Sequence, residues 1–290
     1  MAEKIWALAI HGGSGPAHKS EYSAETETMR EVLSKGRKAL MQGAGAVDVV
    51  AEAVLALEQT GLFIAGKGAS PNVEGKWELD AAIMDGTRRR AGAVGALRGF
   101  KSPILCARKV LEHSPHVFLV GKGATRFLKP FDLDRVKNPN RYYTPAEPSK
   151  PAPGALPHGT VGAVALDGQG RLASATSTGG QQNKQPGRIG DTPMIGAGTW
   201  ADERVAVSCT GQGEYFMRSA AAADLSARIR YARTDLKTAA ACVMEDISLL
   251  GGQGGLIAID CLGRLAMPYN TMTMKRGYAT FKGEFDVKVF

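Results

Sequence analysis

The sequence of 290 residues predicts an α+β fold in which antiparallel sheets pack between layers of helices. Short apolar runs come in pairs around glycine-containing turns, as in β-hairpins. Helical patterns follow one another directly instead of alternating with single strands, which argues against a Rossmann βαβ order. The hydrophobic periodicity is lost only once, between about residues 131 and 158.

The first half of the chain opens with a short buried strand, at residues 5–10, that leads into a tight glycine-rich loop at residues 11–16. Apolar spacing and flanking Gly or Pro residues then define a series of further elements. They are helices at 26–41, 46–59 and 103–113, a glycine-punctuated loop at 62–71, hairpin strands at 78–84 and 91–97, and a strand at 117–120.

The second half follows the linker, whose last part, residues 145–157, contains five prolines, at positions 145, 148, 151, 153 and 157. A run of this length without periodicity is either functional or disordered. The elements predicted after it are paired strands and two long amphipathic helices, ending in a C-terminal strand. They are strand pairs at 160–167 with 171–176, 194–200 with 205–210 and 256–260 with 264–268, and helices at 214–231 and 236–250.

The net charge of +8 raises the question of nucleic-acid binding. The basic residues are dispersed, and the densest cluster, residues 88–90, is too short for a binding stripe, so no nucleic-acid partner is expected. The N-terminus lacks a signal-peptide pattern and no apolar run has the length of a bilayer span, so we expect a cytoplasmic protein without a membrane partner.

Cysteine and histidine usage bounds the chemistry further. The four cysteines lack CxxC spacing, which predicts buried reduced thiols and neither a disulfide framework nor a metal site. The five histidines also lack metal-ligand spacing. The cysteines are Cys106, Cys209, Cys242 and Cys261.

Three glycine-rich motifs carry weak signals. Residues 11–15 (HGGSG) resemble an esterase oxyanion loop, but the sequence has no G-x-S-x-G nucleophile elbow, so a glycine-permitted turn is the better interpretation. Residues 66–68 and 121–123 (both GKG) fit neither of the phosphate-binding patterns G-x-x-x-x-G-K-[ST] and G-x-G-x-x-G.

Thr160 is the strongest candidate for a catalytic group. It follows Gly159 at the mouth of a strand, directly after the proline-containing linker. A threonine hydroxyl needs an adjacent base, and an N-terminal threonine carries one in its own α-amine, whose pKa is about 7.7–8.0. Cleavage of the Gly159–Thr160 bond would release that amine. From these residues alone, an ordinary threonine at the start of a strand remains the simpler interpretation.

Four ordered motifs change that balance, at residues 159–167 (GTVGAVALD), 175–180 (ATSTGG), 186–191 (PGRIGD) and 208–214 (SCTGQGE). Together with residues 11–13, 78–86 and 254–260, they closely resemble the plant-type asparaginase/isoaspartyl aminopeptidase family. The resemblance covers nearly the whole chain except the linker. It implies a four-layer αββα sandwich of the N-terminal-nucleophile hydrolase type. It also implies a single domain cleaved into an α subunit (1–159, with a flexible tail from about 131) and a β subunit (160–290).

The resemblance assigns a role to each matching residue. Thr160 would be the nucleophile for cleavage at Gly159–Thr160 and for turnover, oriented by Thr178. The remaining residues would bind the substrate or its oxyanion: Arg188 the α-carboxylate, Asp191 the α-ammonium, Thr210 and the Gly211 amide the oxyanion, and Gly213 the leaving side through its backbone. A forked cation and a carboxylate suit the two charged groups of an aspartyl substrate.

One position departs from the family pattern. Ile64 stands where many members have an asparagine whose amide is thought to assist the oxyanion hole, and isoleucine donates no hydrogen bond. Losing such a donor costs on the order of 100-fold in rate. The same loop in relatives wraps a structural sodium ion, and no cofactor for catalysis is implied. The matching backbone carbonyls are those of Leu57, Glu58, Thr60, Phe63, Ala65 and Lys67.

The resemblance therefore implies hydrolysis of β-aspartyl dipeptides and L-asparagine, by αβ heterodimers that pair into (αβ)2. Two other classes of enzyme fit the sequence less well. A glycosylasparaginase conflicts with the missing signal peptide, and a threonine-aspartase-type protease conflicts with the short chain and the small-substrate pair Arg188 and Asp191. An inactive relative that acts as a binding or storage protein is kept open by Ile64.

Overall fold

The computed structural model describes residues 4–17, 21–146 and 159–290, and within them the chain forms twelve strands and eight α-helices. The strands are β1 (Ala7–Gly15), β2 (Leu79–Asp85), β3 (Arg90–Leu97), β4 (Phe118–Val120), β5 (Val161–Leu166), β6 (Leu172–Thr178), β7 (Thr199–Ala201), β8 (Val205–Gly211), β9 (Gly254–Asp260), β10 (Leu265–Ala266), β11 (Thr273–Thr280) and β12 (Phe285–Lys288). The helices are α1 (Ser23–Met41), α2 (Ala46–Thr60), α3 (Pro103–His113), α4 (Gly121–Leu128), α5 (Pro139–Tyr142), α6 (Gly213–Ser219), α7 (Ala221–Tyr231) and α8 (Leu236–Leu249), with a 3-10 turn at Gly66–Gly68.

The strands form two sheets. The larger has eight strands in the order β12-β11-β1-β5-β6-β2-β3-β4, and the smaller has four in the order β10-β9-β8-β7. Neighbouring strands are antiparallel except for β3 and β4, which are parallel. Among the described residues no helix is long and apolar enough to cross a membrane. The molecule is a mixed α+β protein, as the order of the sequence patterns predicts.

Strand β5 shows where the core lies, because all six of its residues are buried. Successive side chains of a strand point to opposite faces, so a strand buried throughout is covered on both sides. Ala163 and Ala165 belong to a cluster that includes residues of helices α1–α3, whereas Val164 and Leu166 belong to a cluster shared with Ile257 of the smaller sheet. A third cluster joins the smaller sheet to α7 and α8.

The predicted loop at residues 11–16 is wrong, because β1 continues through it to Gly15. The pairing with β11 shifts between His11 and Ser14, which marks a β-bulge at Gly12 and Gly13. Gly13 has φ +97°, and a Cβ on Gly12 would stand 2.4 Å from the Phe63 ring. Gly13 therefore permits the bulge, and Gly12 permits the close approach of the Phe63 ring. In the sequence alone, both features resemble the glycines of a turn.

Two predicted elements in the second half are also wrong in extent. The single helix predicted at 214–231 is divided into α6 and α7 at Ala220, which has φ +47°. The first amides of α7 donate to the carbonyls of Ala197 and Gly196, so a tertiary contact starts the second helix. The strand predicted at 194–200 is reduced to Thr199–Ala201, and the C-terminal strand is two strands, β11 and β12.

The linker predicted from residue 131 begins too early. Phe131 packs against Phe127 with ring centroids 5.5 Å apart, and the Arg135 guanidinium lies 3.8 Å from the centroid of the Phe100 ring. The segment then forms α5 and buries Tyr143. Residues 131–146 therefore belong to the folded body, and the remaining predicted tail, 147–158, lies outside the described residues.

The prediction of buried cysteines holds for two of the four. Cys106 and Cys209 are buried, Cys242 is half-buried and Cys261 is exposed in the turn between β9 and β10, and all four are free thiols.

Candidate active site

Thr160 lies buried immediately before β5, beside the end of β6. Its hydroxyl donates to the Thr178 hydroxyl at 3.3 Å. The Thr178 hydroxyl donates to the carbonyl oxygen of Gly159 at 2.6 Å and accepts the Gly180 amide at 2.9 Å. A hydroxyl has one proton, so Thr178 can donate only one hydrogen bond. It donates that hydrogen bond to the carbonyl of the Gly159–Thr160 peptide bond.

Strand pairing explains why these groups meet. Val161 pairs with Ser177 across β5 and β6, and Asp80 pairs with Thr178 across β2 and β6. The position of the Thr178 hydroxyl is therefore fixed from both sides by sheet register. Two residues that are 18 positions apart in sequence thus meet at the ends of two central strands of the larger sheet.

Gly159 is enclosed by two segments of the chain. A Cβ on Gly159 would stand 2.8 Å from the Cβ of Ile64, and a Cβ on Gly13 would stand 3.4 Å from the Cα of Gly159. The backbone carbonyl of Ile64 accepts the Gly179 amide at 2.9 Å. Ile64, flagged in sequence as a missing hydrogen-bond donor, is thus an apolar wall against the residue before the nucleophile.

Thr210 and Gly211 end β8 next to the same centre. The Thr210 hydroxyl is buried and has no hydrogen-bond partner among the described residues. An unpartnered buried hydroxyl costs about 1–3 kcal/mol, so it suits a position where an acceptor arrives later. Gly211 has φ +152°, and a Cβ there would stand 2.4 Å from the Gln253 carbonyl oxygen, so only glycine fits.

Arg188 lies beside Thr160 but already has a carboxylate partner. Its Nε donates to one oxygen of Glu214 at 3.0 Å and its Nη2 to the other at 2.9 Å. Glu214 lies in the first turn of α6 and is half exposed, and Gln181 donates to it at 3.4 Å. The Arg188–Glu214 pair was not predicted, although Glu214 is the last residue of the quoted motif 208–214.

Asp191 lies close to Arg188 and is buried, with only 4% of its surface exposed. Burial raises the pKa of its carboxyl to about 7, against the opposing attraction of Arg188. One of its oxygens has no partner among the described residues, and a Cβ on Gly213 would stand 2.8 Å from the other. Gly213 therefore lies against the Asp191 carboxylate. A carboxyl with a free oxygen at this depth suits an ammonium group.

The pocket at this centre brings most of the predicted residues together. The space that it encloses admits about one water molecule. Gly159 is itself part of the wall, which explains the small volume in the uncut chain. Its lining is Gly159, Thr160, Thr178, Gly180, Gln181, Arg188, Gly190, Asp191, Thr192 and Gly211. Sequence reasoning missed Gly180, Gln181, Gly190 and Thr192 as lining residues, because they carry no distinctive chemistry and their only signal is their place within or directly beside the quoted motifs.

His11 does not form an oxyanion loop. Its Nε2 lies 2.9 Å from the Ser208 hydroxyl, which lies 2.8 Å from the Thr176 hydroxyl, and Thr199 donates to Thr176 at 2.7 Å. Burial lowers the pKa of His11 to about 3, so the imidazole is neutral at working pH. This buried network joins the two sheets behind the candidate site.

The predicted sodium loop follows the C-terminal end of α2. Helix ends leave carbonyls without intrahelical partners, and they carry partial negative charge. The chain then turns back through Gly61 (φ +78°) and Gly66 (φ +51°). A Cβ on Gly66 would stand 2.6 Å from the Glu58 carbonyl oxygen. The carbonyl of Lys67 accepts the Thr144 amide and that of Ala65 accepts the Gly68 amide, which leaves each a second lone pair. These residues fit a hard cation with oxygen ligands. Among the described residues no cluster of three or more His, Cys, Asp or Glu side chains has metal-binding geometry.

Comparison with known proteins supports the family resemblance found in the sequence motifs. A family profile described as asparaginase matches residues 4–149 and 134–289. A protein of Salmonella typhimurium named isoaspartyl peptidase is 46% identical over 300 residues, which cover 94% of this chain and 95% of that protein. A Pyrobaculum calidifontis protein named plant-type L-asparaginase is 40% identical, covering 93% of this chain and 96% of that protein. The isoaspartyl peptidase of Escherichia coli is 44% identical, covering 94% of this chain and 92% of that protein.

Proposed function

Because this chain belongs to the asparaginase family that includes isoaspartyl peptidases and plant-type L-asparaginases, we propose that it hydrolyses β-aspartyl dipeptides and L-asparagine with Thr160 as its nucleophile. The observation that carries the proposal is the contact of the Thr178 hydroxyl with both the Gly159 carbonyl and the Thr160 hydroxyl. It lies beside the half-buried cation Arg188 and the buried carboxyl Asp191.

The first reaction is cleavage of the chain by itself. The Thr160 oxygen attacks the Gly159 carbonyl carbon, and the Thr178 hydroxyl, 2.6 Å from the carbonyl oxygen, stabilises the negative charge that develops there. The C–N bond then breaks, and the hydroxyl proton ends on the Thr160 nitrogen. Water hydrolyses the resulting ester, which frees the Thr160 hydroxyl and leaves a carboxylate on Gly159. The products are fragments 1–159 and 160–290.

Turnover uses the amine that cleavage releases. The free amine accepts the hydroxyl proton of Thr160, whose oxygen attacks the side-chain carbonyl of the β-aspartyl group. The Thr210 hydroxyl and the Gly211 amide stabilise the oxyanion. The leaving amine departs with a proton, and water hydrolyses the acyl-enzyme to release aspartate. Thr178 orients the Thr160 hydroxyl throughout.

Substrate binding depends on Arg188 and Asp191, which carry opposite charges. Arg188 binds the α-carboxylate, and Glu214, already paired with Arg188, holds its guanidinium in place through a two-point contact. Asp191 binds the α-ammonium through its unpartnered oxygen. Gly213 keeps this region narrow and contacts the leaving side through its backbone. A site with one fixed cation and one fixed anion selects a small amino-acid substrate over a long chain.

The architecture proposed for this function is the four-layer αββα sandwich of N-terminal-nucleophile hydrolases. It is supported by the order of the core clusters, which run from α1–α3 to the larger sheet, then to the smaller sheet, then to α7 and α8. After cleavage the two fragments would remain together as an αβ unit, and two units would pair into (αβ)2. The cytoplasm is the proposed location, supported by four free cysteines.

A structural sodium ion is proposed at the loop after α2, held by the backbone carbonyls of residues 57, 58, 60, 63, 65 and 67. An ion there would neutralise the helix end and stiffen the loop. Removal of sodium by exchange into a potassium or choline buffer is then expected to lower the thermal unfolding midpoint. An unchanged midpoint would count against the site.

Two measurements on the purified chain test the proposed function. Mass spectrometry is expected to find two fragments that meet at Gly159–Thr160 in place of one chain of 30.6 kDa. Incubation with β-aspartyl-leucine or with L-asparagine is expected to release aspartate, and from asparagine also ammonia. An uncut chain that releases neither product would instead support an inactive relative that binds without hydrolysis.

A further inference from the structure

Residues 61–69 form a loop beside the cleavage site. The loop contacts the site at two points. Ile64 packs on Gly159, and its carbonyl accepts the amide of Gly179, the residue after Thr178. Phe63, next to Ile64, is buried against Gly12 of the β1 bulge. A small displacement of this loop would therefore move the carbonyl that Thr160 attacks relative to the Thr178 hydroxyl.

The loop obtains much of its support from a segment at the end of the first half of the chain, residues 142–146, which we call the strap. The Thr144 amide donates to the Lys67 carbonyl at 2.9 Å, and the Ala146 amide donates to the Gly68 carbonyl at 3.2 Å. A Cβ on Gly61 would stand 2.6 Å from the Thr144 hydroxyl. The strap thus lies along the loop.

An aromatic stack fixes the strap itself. Tyr143 is buried, and its ring is parallel to that of Trp77, with centroids 4.9 Å apart and an angle of 8° between planes. The indole of Trp77 donates to the Ala69 carbonyl at 3.1 Å, so the same stack also holds the end of the loop. Tyr142 packs edge-on against Tyr143, with ring centroids 5.1 Å apart, and its hydroxyl reaches the Lys101 carbonyl at 3.5 Å.

We propose that the strap is a positioning element for self-cleavage: through the Trp77–Tyr143 stack it presses the loop 61–69 onto Gly159 and so sets the cleavage rate. The inference rests on the proposed function, because it concerns the same bond. It also gives residues 142–146 a role opposite to that of a disposable tail. They belong to the first fragment and remain bound to the loop after the cut.

The first test measures the coupling without any cleavage. In a Thr160→Ala chain, amide hydrogen exchange is followed at Gly179, whose amide donates to Ile64. Adding Tyr143→Ala is expected to speed that exchange at least tenfold, whereas adding Phe131→Ala, the control, which removes an aromatic ring packed on Phe127 outside the strap, leaves it within about twofold. Equal exchange in the two double variants would overturn the coupling, whether or not the wild-type chain cleaves itself.

The second test measures the rate. Tyr143→Ala and the control Phe131→Ala, each in the otherwise native chain, are compared by the appearance of the two fragments at a temperature well below both unfolding midpoints. At least tenfold slower cleavage in Tyr143→Ala alone is expected. If both variants cleave at the wild-type rate, the strap has no role in positioning. If the wild-type chain stays uncut while Gly179 responds as expected, the proposed self-cleavage fails and the coupling is supported.

A second pair of variants covers the case in which Tyr143→Ala does not fold. Thr144→Pro removes the amide that donates to Lys67, and Tyr143 before it has φ −75° and ψ 129°, a conformation compatible with a following proline. Thr144→Val keeps the amide and the shape of the side chain. Slower cleavage in Thr144→Pro than in Thr144→Val is expected, and equal rates would overturn the proposal.

Discussion

The two halves of the candidate site differ in their chemistry. The nucleophile centre, which comprises Gly159, Thr160, Thr178 and Ile64, consists of hydroxyls, backbone and an apolar wall, and it is fixed by strand pairing. The substrate clamp, which comprises Arg188, Asp191 and Glu214, consists of ionisable groups on a loop and on the first turn of a helix. In the proposed mechanism, bond-breaking therefore depends on the positions of neutral groups, whereas substrate recognition depends on charge.

Removal of the nucleophile should have the largest effect. Thr160→Ala is expected to leave one uncut chain and to lower kcat by about 10⁴-fold or more, because no other hydroxyl takes its place. Denaturing gels and aspartate release measure the two effects. Cleavage at the same bond in this variant would show that Thr160 is not the attacking group. Thr125→Ala, on α4, is the matched control and should cleave normally.

Arg188→Lys tests the clamp without removing its charge. Lysine cannot make the two-point contact with a carboxylate, so we expect a loss of about 2–3 kcal/mol in binding, or roughly 30- to 160-fold in kcat/KM, mostly through KM. Self-cleavage should stay near the wild-type rate, since the clamp holds the substrate α-carboxylate. Steady-state kinetics with L-asparagine measure the change, with Arg126→Lys on α4 as control. A loss confined to kcat would contradict the division between the two halves.

The pKa of Asp191 predicts a pH effect on binding. Burial raises it to about 7, so the carboxyl is increasingly neutral below that pH and loses its attraction for the substrate ammonium. The Thr160 amine is protonated in the same range, so below about pH 6.5 log(kcat/KM) should fall with a slope of about 2. In Asp191→Asn the slope should be about 1. Equal slopes would mean that Asp191 does not titrate with substrate binding.

The smallest effect concerns the apolar wall. Ile64→Asn introduces an amide next to the Gly159 carbonyl, so self-cleavage should be faster by roughly tenfold or less, because the Thr178 hydroxyl already donates to that oxygen. Ile64→Val, which remains apolar, should leave the rate within about twofold. Fragment appearance over time measures both. Slower cleavage in Ile64→Asn would indicate that the packing on Gly159 matters more than an added donor.

Local sequence was sufficient for much of this protein. Hydrophobic spacing placed α2 and α3 and the hairpins β2–β3 and β5–β6 within a few residues, because these elements bury a regular face and end at glycine or proline. It failed where glycine had a second use, as in the β1 bulge at Gly12 and Gly13, and where a tertiary contact divides a helix, as at Ala220. It also failed at residues 131–146, whose contacts are aromatic and irregular instead of periodic.

The sequence by itself determined the chemical identity of the candidate site, since Thr160 after Gly159 and the motifs around Arg188 and Asp191 can be found without coordinates. Only the tertiary structure decided which groups touch: the Thr178 hydroxyl on the Gly159 carbonyl, Glu214 on Arg188, and Ile64 against Gly159. The reason is physical. Residue types fix which reactions are available, whereas the distances between residues far apart in sequence depend on sheet register and loop packing, which no local pattern encodes.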